Sequence, residues 1–165
     1  MDELQNEAGP DYRALAEFRY EIRRFLHFSE NAARAAGLEP QQHQLLLALK
    51  GLPAGKKPTI SVLAERMQLQ HHSAVELIDR LARRRLVRRY RSRTDKRQVY
   101  VRLTKGGEDV LRKLSLNHLQ ELKTVGPALT QMLRGLIAAA YIAGAPDGEA
   151  EGPSGAATES RRAKS

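Results

Sequence analysis

The stretch SVLAERMQLQHHSAVELIDRLARRRLVRRYRSRTDKRQVYVRLTKGG, Ser61 to Gly107, decides how the rest of the chain is read. TISVLAERM predicts a short helix with Ser61 as its N-cap. Leu69 and Gln70 predict a tight turn into a second helix, roughly His71 to Arg84. Within it Ala74, Leu77, Ile78 and Leu81 stand at i, i+3, i+4 and i+7, which is one inward stripe. His72, Glu76, Asp79 and Arg83 then face outward, with Ser73 and Arg80 on the flank. After Leu86 the hydrophobic period falls to two. Val87–Arg91 reads as one strand and Val99–Leu103 as another, with Val99, Val101 and Leu103 alternating against Tyr100 and Arg102. RSRTDKRQ, Arg91 to Gln98, lies between them as a hairpin loop with a single acid, Asp95, among its bases.

Outward from this core the pattern is helical. Tyr12 to Ala36 carries Leu15, Phe18, Ile22, Phe25, Leu26 and Ala33 at helical spacing and stops at Gly37. Pro40 suits the first position of a helix that carries Leu45, Leu46, Leu47 and Leu49 and ends near Gly51. GLPAGKKP is a loop. Thr104 is the expected cap of a further helix whose first turn Gly106 and Gly107 weaken. Gly126-Pro127 predicts a break, and a last helix then carries Leu129, Leu133, Leu136, Ile137, Ala140 and Tyr141 as an apolar stripe that needs a burial partner. The expected organisation is a flexible acidic N-terminus over 1–11, a domain over 12–143 and a disordered tail over 144–165, which holds almost no large apolar side chain.

Composition narrows the function classes. The 165 residues suffice for one domain with a modest core. The absence of cysteine excludes disulfides, thiolate zinc sites and thiol redox sensing. His71 and His72 diverge on a helix and no His-x3-His pair exists, so no metal site is expected, and no cofactor. No window reaches the ~18 consecutive apolar residues of a membrane helix, and the acidic start MDELQNEAGPD is unlike a secretory signal. A soluble cytoplasmic protein is expected, with no membrane partner. No nucleophile–base set, phosphate loop or paired carboxylate stands out, so an enzyme is not expected.

The net charge of +9 is unevenly placed. Residues 12–143 alone carry 25 bases against 11 acids. Twelve of those bases fall between Arg80 and Lys105, where Asp95 is the only acid. A concentrated basic stripe on a folded domain points to a polyanion; a solvated cationic face is the plain alternative. Two short helices, a tight turn and a β-hairpin make a winged helix-turn-helix, mainly α with a small β-hairpin wing. The second helix is then the reader, and double-stranded DNA the expected partner. Its face offers His71, His72, Ser73, Glu76, Arg80, Arg83 and Arg84 to bases or phosphates. Glu76 with Arg80, and Asp79 with Arg83, also stand at i, i+4 with the acid first, so both acids read as intrahelical ion-pair partners, and for Glu76 that reading is favoured over a contact with cytosine N4.

Here the chain resembles the MarR family of bacterial transcriptional regulators. The resemblance rests on Leu63-Ala64, Leu81, Leu86-Val87, Asp95-Lys96-Arg97 and Leu103-Thr104-Lys105-Gly106-Gly107 in that order, and covers roughly Leu15 to Tyr141. It implies a homodimer whose first and last helices, about 12–36 and 127–143, interlock with the partner's. A winged core over about 40–104 and a connecting helix over about 105–125 complete it. A two-fold dimer should read a pseudo-palindrome with half-sites ~34 Å apart. The resemblance makes Asp95 the organiser of the wing and Arg93 and Arg97 candidate minor-groove or phosphate contacts; Arg91 and Lys96 of the same basic loop are expected to contact DNA beside them. It also implies release from DNA by a small aromatic or phenolic acid between the dimer helices and the core, for which Phe25, Phe28, His43, Leu47 and Arg112 are the candidate wall; ordinary packing is the other reading of each.

Three departures from the family pattern are visible. Arg85 stands where glycine is frequent; a left-handed backbone there costs about 1 kcal/mol, so a different helix end is expected. Gln70, His71 and His72 replace commoner capping residues, and Ser73-x-x-Glu76 is a capping-box pattern that shifts the expected helix start later. Glu76 stands where small or basic residues are common, which suggests a different operator. The expected function is a sequence-specific repressor. A winged-helix module that binds nucleic acid without sequence choice, or binds protein, is the alternative.

Overall fold

A computed structural model describes residues 11–91 and 98–143. Five helices and one antiparallel hairpin follow in the order α1 (Tyr12–Ala35), α2 (Pro40–Lys50), α3 (Ile60–Met67), α4 (His71–Arg83), β1 (Val87–Arg91), β2 (Val99–Leu103) and α5 (Lys105–Ala143). This is the mainly helical, winged architecture that the sequence predicts.

Local chemistry sets most of the boundaries. The Asp11 carboxylate accepts from the Ala14 N–H at 2.9 Å and opens α1. Gly37, at φ 73°, turns the chain out of that helix. Pro40 is the first residue of α2, and Glu39 and Gln42 cap each other reciprocally. Thr59, not Ser61, caps α3, its hydroxyl accepting from the Val62 N–H at 3.2 Å. The reason is tertiary: the Val101 N–H of β2 donates to the Pro58 carbonyl at 2.9 Å and Thr59 bridges to Tyr100, so the extended backbone that a cap requires ends at Thr59. α4 begins at His71 rather than later, because Gln70 is already extended and its carbonyl accepts from the Ala74 N–H at 3.1 Å.

The end of α4 also differs from expectation. Arg85 does take the left-handed conformation, at φ 57°. Its N–H donates to the Ala82 carbonyl at 2.9 Å and the Leu86 N–H to the Leu81 carbonyl at 3.0 Å. That is a Schellman closure with arginine in the position glycine usually holds. Buried Leu81 and Leu86 belong to the same core cluster across the turn, and the Thr104 hydroxyl donates to the Arg85 carbonyl at 2.6 Å. These contacts hold the arginine where sterics alone disfavour it.

The hairpin pairs Val87 with Leu103 and Arg91 with Val99, so Val87 and Val101 point into the core. Ala74, Leu77, Ile78 and Leu81 are buried to the extent their spacing predicts, each at most 3% exposed. Leu77, Ile78 and Leu81 form one core with Leu45, Leu46, Leu63, Leu111 and Leu114 beneath α4 and the hairpin.

The break expected at Gly126-Pro127 is absent: α5 runs as one helix of 39 residues. Pro127 has no N–H to offer the Lys123 carbonyl, and an interior proline costs on the order of 3 kcal/mol. Buried Val125 and the packing of α1 along α5 offset that cost. Among the described residues no helix is long and apolar enough to cross a membrane.

Candidate nucleic-acid interface

The outer face of α4 is polar from end to end. His71 and His72 are exposed in its first turn, Ser73 is half-buried, and Glu76, Arg80 and Arg83 are exposed. Gln70 makes no side-chain cap, so side chains of the helix do not cover its first-turn N–H groups. Glu76 and Arg80 stand 3.7 Å apart as the i, i+4 spacing predicts. A pair this exposed adds at most about 1 kcal/mol, and leaves both groups free to exchange partners.

Asp79 does not pair with Arg83. It pairs with Arg89 of β1 at 2.9 Å, and the same guanidinium nitrogen donates to the Val75 carbonyl at 3.1 Å. Arg83 keeps its charge on the exposed face. Arg84 is turned away from α4's outer residues: its guanidinium donates to the Gln42 side-chain oxygen on α2 at 2.9 Å, tying the end of α4 to the preceding helix. Arg84, though exposed, is thus tied to α2, while His71, His72, Glu76, Arg80 and Arg83 are exposed without such a tie to α2 and Ser73 is half-buried.

The hairpin continues the basic surface. Arg91 is exposed at the end of β1. Arg88 and Arg102 oppose each other across the strands, a like-charge pair that strand pairing alone disfavours. Arg102 lies 5.0 Å over the Tyr90 ring, which in turn meets Tyr100 edge-on at 5.5 Å. The contact with Tyr90 holds the Arg102 guanidinium in place. Arg93, Asp95, Lys96 and Arg97 lie outside the described residues.

The five residues expected to wall an effector pocket fall into two groups. Phe25 and Phe28 of α1 and His43 of α2 all pack on the His118 ring of α5, at centroid separations of 6.0, 5.8 and 4.9 Å. His118 is fixed by contacts of its two ring nitrogens with the Leu114 carbonyl and the Ser29 hydroxyl. Burial, then the neighbouring His118, lowers the His43 pKa from its ordinary value. Leu47 and Arg112 instead line a separate open cleft between α2 and α5, beside Asp109 and Ser115. His118 organises the first group and has no sequence signal for it, since Phe25, Phe28, His43 and Ser29 lie on other elements. Among the described residues no three potential metal ligands converge.

Comparison with known proteins places this geometry. A family model described as MarR family matches residues 36–98. The chain is 31% identical over 107 residues to the HTH-type transcriptional regulator YhbI of Bacillus subtilis, spanning 56% of this chain and 69% of that protein. Two solved structures share the fold. AbsC, a MarR family transcriptional regulator from Streptomyces coelicolor, superposes with a TM-score of 0.62 at 21% identity over 86% of this chain and 97% of AbsC. A mutant of Staphylococcus aureus MepR bound to an oligodeoxyribonucleotide superposes at 0.57 with 19% identity, over 73% of this chain and 96% of MepR.

Proposed function

The chain belongs to the MarR family of DNA-binding transcriptional regulators, and from that premise we propose that it is a homodimeric repressor of a pseudo-palindromic operator. The observation that carries this reading is the continuity of one basic surface from the outer face of α4 through Arg83 to Arg91 on β1, over a core that fixes both elements. α4 lies in a major groove, where His72, Glu76, Arg80 and Arg83 meet base edges or phosphates. The segment that holds Arg93, Asp95, Lys96 and Arg97 meets the adjacent minor groove, with Asp95 orienting the arginines. Arg84 positions α4 rather than touching DNA.

Dimerisation follows from apolar surface left open in the single chain. Leu15, Ile22 and Leu26 on α1, and Leu133, Ile137 and Tyr141 on α5, are 36–78% exposed. Covering such side chains is worth about 1.5–3 kcal/mol each when complete, and a second copy of the same helices supplies a matching surface. The cleft of Leu47 and Arg112 takes a small aromatic or phenolic acid, with Arg112 as the carboxylate partner. It borders α2 and the start of α5, which support the winged core.

Selection from random duplexes, with sedimentation of the free protein, tests the proposal. A palindromic consensus and a dimeric mass are expected. A monomer, or a pool with no enriched sequence, would overturn it in favour of a module that binds nucleic acid without sequence choice.

A further inference from the structure

The loop between α2 and α3 carries two adjacent lysines, Lys56 and Lys57, both exposed. Gly55, at φ 81°, makes the turn that presents them. The loop is held at both ends of this turn. The Lys56 N–H donates to the Pro53 carbonyl at 3.1 Å and the Thr59 N–H to the Lys57 carbonyl at 2.8 Å. The next residues are stitched to β2, through the Val101 N–H to the Pro58 carbonyl and the bridge between Thr59 and Tyr100. The lysines thus ride on the hairpin as a short third strand would. Among the described residues neither forms an ion pair with a carboxylate.

A cleft opens directly beside them. Lys56, Lys57 and Ser61 form one side, His71 at the start of α4 another, and Gln98, just before β2, the third. It therefore occupies the gap between the reading helix and the hairpin. If α4 enters a major groove and the hairpin the neighbouring minor groove, the sugar–phosphate strand separating those grooves has to cross this gap. Its lining combines Lys56, Lys57, Ser61, His71 and Gln98 with the apolar side chains of Ile60, Val62 and Val99, and holds no carboxylate.

We propose that this cleft is a phosphate-binding saddle, in which Lys56 and Lys57 neutralise successive phosphates of the strand running between the two grooves. The inference rests on the DNA-binding reading above and assigns it two residues outside the helix and the hairpin. Contacts of this kind position the protein on the duplex and carry no sequence information. They contribute to affinity through counterion release, which falls with salt in proportion to the number of phosphates engaged.

The test is the salt dependence of binding by the full chain and by Lys56→Ala/Lys57→Ala. Each phosphate contact contributes about 0.9 to the slope of log K against log[salt]. The double variant is expected to lose about 2 from that slope per bound subunit while keeping the wild-type order of preference among duplexes. Lys56→Arg/Lys57→Arg should restore it. Lys123→Ala, which removes an exposed charge from α5, should leave the slope nearly unchanged. An unchanged slope in the double variant, or an equal fall in Lys123→Ala, overturns the saddle. Failure of the functional reading looks different: wild-type protein would then show no preferred duplex, and the slopes would still be measurable on any duplex.

Discussion

Arg89 on β1 and Asp79 on α4 meet at 2.9 Å, so the hairpin and α4 are joined by an ion pair between their facing sides. The Val75 carbonyl accepts from the same guanidinium at 3.1 Å, which anchors it to the helix backbone as well. Both side chains are partly exposed, so the pair is worth about 0.5–1 kcal/mol. Asp79→Asn is expected to lower the urea unfolding free energy by that amount, and Arg89→Ala by somewhat more because it also removes the bond to Val75. Equal stability of wild type and Arg89→Ala would show that the clamp contributes nothing.

Arg85 sits at φ 57°, a conformation that costs an L-residue with a side chain about 1 kcal/mol or more. Arg85→Gly removes that strain and gives back part of it as unfolded-chain entropy. A net gain of about 0.5–1 kcal/mol is expected, read as a higher urea midpoint with an unchanged m-value.

The two glycines that open α5 should respond in opposite ways. A Cβ on Gly107 would overlap the backbone carbonyl of Leu86, whereas the nearest atom to a Cβ on Gly106 is the Thr104 hydroxyl at 3.8 Å. Gly107→Ala should destabilise by about 2 kcal/mol or more, through a backbone shift at the junction of α4, β1 and α5. Gly106→Ala should be neutral or stabilising by up to ~1 kcal/mol, since it only raises helix propensity. Thermal melts of the two variants would separate them, and a similar loss in both would refute the close approach.

Burial and then His118 hold the His43 imidazole below its ordinary value of 6.5. The unfolded chain therefore binds a proton at pH values where the folded chain does not. The associated stability is fully present above about 6.5 and is lost as pH falls below it toward the folded value. The urea midpoint should drop between pH 7 and pH 5, and His43→Gln should flatten that drop. A variant that keeps the full wild-type pH slope would assign the effect to other groups.

Asp95→Ala makes the protein more positive, which by itself favours DNA. The organising role implied by the family resemblance predicts the reverse, a weaker complex across salt concentrations. Electrophoretic mobility shifts at several salt concentrations decide between them.

The elements were legible where their signals are local. The stripe of Ala74, Leu77, Ile78 and Leu81 fixes which face of α4 is buried, and alternation from Val99 to Leu103 defines β2. Pro40, Gly37 and Thr104 mark helix ends through their own backbone chemistry. The exposed polar face of α4 was legible in the same way, since it is what remains of the helix once its apolar stripe is turned inward. The misjudged points are those where a distant partner outweighs a local preference. Thr59 caps α3 because β2 holds Pro58; Arg85 accepts a strained backbone because Thr104 and the Leu81–Leu86 core closure hold it. α5 continues through Pro127 because packing outweighs one missing hydrogen bond.

By itself the sequence determined the order of elements, the inward faces and the placing of a basic stripe on a winged helix-turn-helix, because helical and strand periods and turn residues act over a few positions. Tertiary structure alone decided the partner of a polar side chain where that partner lies on another element. Asp79 pairs with Arg89 rather than Arg83, Arg84 reaches Gln42 on α2, and His118 gathers Phe25, Phe28 and His43 from two other helices. Such choices depend on which groups come within about 3 Å of one another after folding, and spacing along the chain carries no record of that distance.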